Sequence, residues 1–263
     1  MPAMPPFRLL PVWAVLCLLL AARAVAAASG QSAGLAGWQA VLVAGDNAQP
    51  VFDNAVASVR SWLTAGGMPA QNIRVLSAMP QGVTPQGATP QGGVLGVAEP
   101  ASAERVLAEV AALRPGPGEG CLVFVTSHGQ RGEGIWLAYA SEFLRPAELA
   151  RALSAGCARV PTVVVVSGCY TGGFTAMQAP NRVVITASRA DRPSFGCAVE
   201  RTYAVFDECL LASLSQAKPQ AGTWRAVFDA TRSCVGARER ELQATPSEPQ
   251  AAFGKQVRNL PVR

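Results

Sequence analysis

The sequence holds one histidine, His128, among 263 residues. It contains no pair of cysteines in CxxC spacing. A zinc site needs several Cys or His ligands at short, regular intervals, so these absences argue against a structural metal. The missing CxxC likewise argues against a thiol redox protein. The sequence also lacks a basic cluster interleaved with aromatics. Its 22 Lys and Arg are scattered against 17 Asp and Glu, giving a net charge of +5, and no nucleic-acid partner is expected. Beyond the N-terminal segment there is no second long apolar run, so the remainder reads as a globular domain. We expect no metal and no cofactor.

The N-terminal segment has the pattern of an export signal: Arg8, an apolar stretch from Leu9 to Ala22, then Ala24-Val25-Ala26. The apolar stretch falls short of the about 20 residues that span a bilayer. We therefore expect residues 1–28 to be a signal peptide, residues 29–263 to form one domain, and no stable membrane insertion after cleavage. The expected location is periplasmic or secreted, with an uncleaved anchor as the alternative. Bulky Leu16 before Cys17 does not suit a lipid attachment site. An oxidising compartment permits disulfides among the other six cysteines. Cys121 begins an apolar run and reads as core. Cys157, Cys197, Cys209 and Cys234 can form one or two bridges, and Cys197 is read either as bridged or as a buried thiol.

Strand-like and helix-like segments alternate. Trp38–Ala44, Ile73–Leu76, Cys121–Thr126, Thr162–Val166 and Val183–Ala187 read as strands, with an accessory strand at Ile135–Ala138. Helices are expected over 54–65 with Asp53 as cap, over 102–113, from Pro146 to about Leu153, and near 202–214 and 223–235. The tract 80–93, with its PQG near-repeats, reads as a flexible surface loop. The tail from Thr245 reads as loosely structured. Strands that are apolar throughout imply a parallel sheet covered on both faces. The fold class is α/β: a doubly wound, mostly parallel sheet of five to six strands with helices on both faces.

Two strands end in segments that bear chemistry. VFVTSHG places His128 just past the run at 121–126, and VVVVSGCYTGGF places Cys169 just past the run at 162–166. One helical crossover separates them, so the strands should be neighbours and the two side chains should share a rim. A thiolate is the nucleophile of cysteine chemistry, and an imidazole can take the thiol proton and return it to a leaving amine. The N–H groups of Gly129 and Cys169 are the natural donors to a developing oxyanion. Gly172 and Gly173 allow a tight turn and space for a substrate backbone.

This pattern resembles the legumain family, relatives of the caspases that include asparaginyl endopeptidases and the catalytic subunit of the GPI transamidase. The resemblance is carried by WQAVLVAGDN at Trp38–Asn47, by VFVTSHGQRGEGIWL, by VVVVSGCYTGGF and by VITASRADRPSFGC at Val184–Cys197. It implies a caspase-like fold, a protein or peptide substrate, Cys169 as nucleophile, His128 as general base and acid, and Ser194 in a pocket wall. Members that cleave after Asn carry an acidic residue where Ser167 stands and an Arg-His pair near Asp53 and Asn54. Their asparagine-selecting pocket is thus not reproduced. A pocket containing Ser167, Ser194 and one or more of Asp53, Asp191 and Asp207 would suit a basic residue. The expected activity is that of a cysteine endopeptidase working through a thioester. The alternatives are a transpeptidase, or a non-catalytic binding module on the same scaffold.

Overall fold

The structure, a computed structural model, describes residue 1 and residues 34–80, 98–198, 200–217 and 222–262. The expected signal segment and nearly all of the 80–93 tract lie outside the described residues. From Gly34 onward the chain forms one compact unit.

Five strands build the parallel part of the sheet: β1 (Gln39–Ala44), β2 (Ile73–Ser77), β4 (Cys121–Thr126), β8 (Thr162–Ser167) and β9 (Arg182–Thr186). The two-residue β3 (Glu99–Pro100) extends one edge, and β10 (Gln250–Phe253) closes the other antiparallel to β9. The order is β10-β9-β8-β4-β1-β2-β3. β4, β8 and β9 are buried at every residue, and β1 is buried from its second residue on. Such strands need cover on both faces. α1 (Val51–Ala65), α4 (Val205–Gln216) and α5 (Trp224–Glu241) pack on one face around Leu42, Phe124 and Val165. α2 (Ala103–Ala111) and α3 (Pro146–Gly156) cover the other around Val43, Val125 and Val164. A small antiparallel sheet, β5 (Gly129–Gln130), β6 (Gly134–Leu137) and β7 (Glu142–Leu144), grows out of the loop after β4.

Three expectations are corrected. The tail is not loose: β10 pairs with β9, and Val257, Leu260 and Val262 are buried. Its apolar residues are too sparse to show a period, so only the exposed edge of β9 gives them a place. Asp53 is not the cap of α1. The helix starts three residues earlier than expected, after Pro50 at φ −69°, because proline holds a helix-compatible φ. Cys121 lies in the core as expected but was not among the cysteines expected to bridge: it pairs with Cys157, while Cys209 bridges to Cys234. The first bridge ties the start of β4 to the end of α3, and the second joins α4 to α5. Cys169 and Cys197 are the free thiols among the described residues.

Candidate active site

The site begins with strand register. Ser77, Ala44, Thr126 and Ser167 form one row across β2, β1, β4 and β8. All four are the last residues of their strands. Two positions beyond this row stand Asp46, His128 and Cys169. Parallel strands in register carry equal offsets to the same level, so the three emerge together at the carboxyl rim. Ligands of open α/β sheets sit at this rim.

The backbone there is close-packed. A Cβ on Gly129 would run into the carbonyl oxygen of Cys169, so only glycine lets the His128–Gly129 segment approach the segment that carries the thiol. Trp136 N–H donates to the His128 carbonyl at 2.9 Å. In that antiparallel pattern Gly129 and Ile135 face each other as a non-hydrogen-bonded pair, which leaves the Gly129 N–H out of the ladder. The Cys169 N–H has no hydrogen-bond acceptor among the described residues. The sharp turn after the thiol falls on Tyr170, at φ 59°, and not on the glycines that follow. Tyr170 N–H is held by the Arg192 carbonyl at 2.8 Å, and Arg131 stacks over its ring at 5.3 Å. These contacts fix a conformation that an L-residue otherwise avoids.

The His128 ring is half-buried. Its Nε2 lies 3.0 Å from Gln49 Oε1, and the ring of Phe52 meets it edge-on at 5.2 Å. Ser194 wraps the sulfur: its N–H donates to Cys169 Sγ at 3.2 Å, and its carbonyl lies 3.5 Å away. Burial raises the Cys169 thiol above its ordinary 9.0, while the Ser194 contact pulls the other way.

The acidic residues divide into two groups. Asp207, in the first turn of α4, is fully buried; Thr126 Oγ1 donates to its Oδ2 at 2.7 Å. Burial pushes its carboxyl up to about 6, against hydrogen bonding from Ser167 and Thr126. Among the described residues its Oδ1 has no hydrogen-bond partner. Asp53, in the first turn of α1, accepts from Ser77 Oγ at 2.9 Å, and burial together with the charge of Asp46 raises its carboxyl. Asp191 belongs elsewhere. It forms an exposed ion pair with Arg189 at 2.5 Å, which lowers its carboxyl to about 2. Its backbone carbonyl accepts from Arg131, so it braces the outer side of the loop and does not join the other two acids.

The structure thus brings His128, Gly129, Cys169, Ser167, Ser194 and Asp207 to one rim, with Asp53 close by on α1. Sequence reasoning did not single out Gln49 or Asp46; of its two readings of Cys197, the free thiol is the one found. Asp46 could have been found by counting two residues past the end of β1, as His128 and Cys169 are found on their own strands. Gln49 carried no such signal, because a loop residue's contact with a distant ring has no local pattern.

A mostly parallel sheet with a thiol and an imidazole at its carboxyl rim defines a protein of the caspase-like α/β class. In fold the chain is similar to caspase-1 from Spodoptera frugiperda, with a TM-score of 0.57 and 10% identity over 84% of this chain and 90% of that one. At that identity the likeness concerns the fold alone. No curated protein matches the sequence. Residues 101–257 match the peptidase C13 family. The chain belongs to that family, the legumain family of cysteine peptidases, and both His128 and Cys169 fall within the matched residues.

Proposed function

We propose that the protein is an endopeptidase that cleaves protein or peptide substrates through a His128–Cys169 dyad and a thioester. The observation that carries this reading is the shared offset of the two residues beyond the paired strand ends Thr126 and Ser167. With the Gln49 oxygen as acceptor, His128 Nε2 bears the proton and Nδ1 is the base. As Sγ attacks the scissile carbonyl carbon, Nδ1 takes the thiol proton. The oxyanion is met by the N–H groups of Gly129 and Cys169, neither of which has another acceptor among the described residues. Collapse of the tetrahedral species breaks the C–N bond, and the imidazolium gives its proton to the leaving amine. A water molecule, deprotonated by His128, then hydrolyses the thioester, and the thiol recovers its proton. An amine in place of that water would make the same acyl-enzyme a transpeptidase. The two disulfides favour an exported protein, periplasmic or secreted.

A peptidyl acyloxymethyl ketone tests the reading. It should label Cys169 in the wild type, fail with Cys169→Ala, and react far more slowly with His128→Ala. No labelling of folded wild-type protein would favour a binding module on this scaffold.

A further inference from the structure

Between β8 and β9 the main-chain ladder stops one rung short of the thiol. Ala187 N–H donates to the Val166 carbonyl at 3.1 Å. In a parallel ladder the next rung, two residues on along both strands, would join Arg189 N–H to the Gly168 carbonyl. Arg189 N–H donates instead to the Ser247 carbonyl at 2.9 Å. Two buried hydroxyls take its place: Thr171 Oγ1 donates to the Gly168 oxygen at 3.1 Å, and Ser188 Oγ at 3.0 Å. Each hydroxyl is in turn held by the other residue's backbone. Thr171 N–H donates to Ser188 Oγ at 3.1 Å, and Ser188 N–H to Thr171 Oγ1 at 3.3 Å. A hydroxyl has one proton to give. Accepting from these N–H groups leaves both protons for the Gly168 carbonyl.

One donor satisfies a buried carbonyl. Two that converge on it also fix its direction. The same peptide group carries the Cys169 N–H. A trans peptide points its C=O and N–H in opposite directions, and the described chain has no cis bond. The hydroxyl pair therefore turns the Cys169 N–H away from Thr171 and Ser188. That N–H has no acceptor among the described residues. A Cβ on Gly129 would lie 3.2 Å from its nitrogen, so the Gly129 backbone runs beside it. The peptide is also closed in from the side of β4, where a Cβ on Gly168 would meet the Ser127 oxygen at 2.5 Å. Hydrogen bonds to a carbonyl polarise its peptide group and make the N–H a stronger donor.

We propose that Thr171 and Ser188 are positioning residues for the oxyanion site: they hold the Gly168–Cys169 peptide so that the Cys169 N–H meets the oxygen of the carbonyl under attack. The proposal rests on the dyad reading, because an oxyanion forms only if Cys169 adds to a carbonyl. Both hydroxyls act through the peptide and touch no substrate. Their effect is felt when the oxygen gains charge, so it falls on kcat more than on KM.

Thr171→Val and Ser188→Ala each remove one hydroxyl and leave the Gly168 carbonyl the other donor, so both variants should fold, as thermal melting checks. Two reactions of Cys169 then separate positioning from structure. Addition to a peptidyl aldehyde turns the carbonyl oxygen into the oxygen of a tetrahedral hemithioacetal at the oxyanion site. Alkylation by iodoacetamide displaces iodide from a saturated carbon and creates no such oxygen. The probes are acetyl-tripeptide aldehydes ending in arginine, asparagine, aspartate or leucine, with fluorogenic peptides of the same sequences as substrates. Each variant should bind the aldehyde on the order of tenfold more weakly and lose kcat by the same factor at little-changed KM. That is less than the ~100-fold or more that follows loss of a direct oxyanion donor. Iodoacetamide should react at the wild-type rate. Thr171→Ser keeps the hydroxyl and should recover most of the loss. Variants with wild-type aldehyde affinity and kcat overturn the positioning role and leave the peptidase reading intact. Unfolding of both variants, or equal slowing of both reactions, makes the hydroxyls structural and likewise overturns it. Folded wild-type protein that neither cleaves the peptides nor binds any aldehyde overturns the peptidase reading, and this proposal with it.

Discussion

Thr126 and Ser167 are partners in the parallel ladder between β4 and β8, and the next residue but one on each strand is His128 and Cys169. The alignment of imidazole and thiol is thus a property of the ladder, set by main-chain hydrogen bonds far more than by the two side chains. Changes at the site should accordingly affect chemistry more than folding, and changes in the backbone beneath it should affect both.

Gln49 is a positioning residue for His128. Gln49→Ala should lower kcat about tenfold, toward the low end of the range for a misdirected general base. Gln49→Glu places a negative charge beside the ring and favours the imidazolium. The acid limb of the kcat/KM profile should then move to higher pH, which a merely structural residue would not produce. The pH–rate profiles of both variants check this.

Because burial raises the Cys169 thiol, its alkylation by iodoacetamide should be slow at neutral pH and should climb steadily as pH rises through 9. The check is the rate of mass gain at Cys169 as a function of pH. A fast, pH-independent rate from pH 5 to 8 would instead indicate a preformed thiolate–imidazolium pair.

Gly129→Ala drives a methyl group into the Cys169 carbonyl. The backbone must shift there, at a cost of roughly 1–3 kcal/mol in stability. Displacing the proposed oxyanion donors by even about 1 Å should reduce kcat/KM by ~100-fold or more. Chemical denaturation and steady-state kinetics on the same preparation measure both effects.

Asp207 predicts an unusual pH dependence of stability. Its carboxyl titrates near 6 in the folded protein, against an ordinary 3.8, so the folded state holds the proton more tightly than the unfolded chain. Its contribution to stability is greatest below about pH 4, declines as pH rises to about 6, and above that is a penalty of about 3 kcal/mol. Asp207→Asn should remove this dependence, making the variant more stable than wild type at pH 7 and closer to it at pH 4. Urea unfolding of both proteins at the two pH values is the measurement.

The disulfides close loops with sequence separations of 36 and 25 residues. Chain-entropy arguments give each roughly 3–4 kcal/mol. Replacing Cys121 and Cys157 together with Ser should lower Tm by several degrees or more, as should replacing Cys209 and Cys234 together. Thermal melting under non-reducing conditions checks both pairs.

Much of the fold was legible because buried parallel strands have a distinctive signature. CLVFVT and TVVVVS cannot be half-exposed, and the helices between them carry one apolar stripe each. The edge strand β10 escaped notice because QAAF has no alternation and gains its ladder only from β9. The acids show the same division. Asp53, Asp191 and Asp207 are alike in sequence, yet Asp191 pairs with the neighbouring Arg189 on the surface, while the other two meet strand-end hydroxyls that are distant in the chain.

The sequence by itself determined the order of strands and helices, the placement of His128 and Cys169 just past two buried runs, and the family to which the chain belongs, because each is written in local pattern. The tertiary structure decided which cysteines bridge, that Gln49 meets His128, and which carboxylates meet strand-end hydroxyls. Those depend on register between strands and on the packing of helices across the sheet. No local stretch of sequence encodes them, since the partners approach one another only once the core has formed.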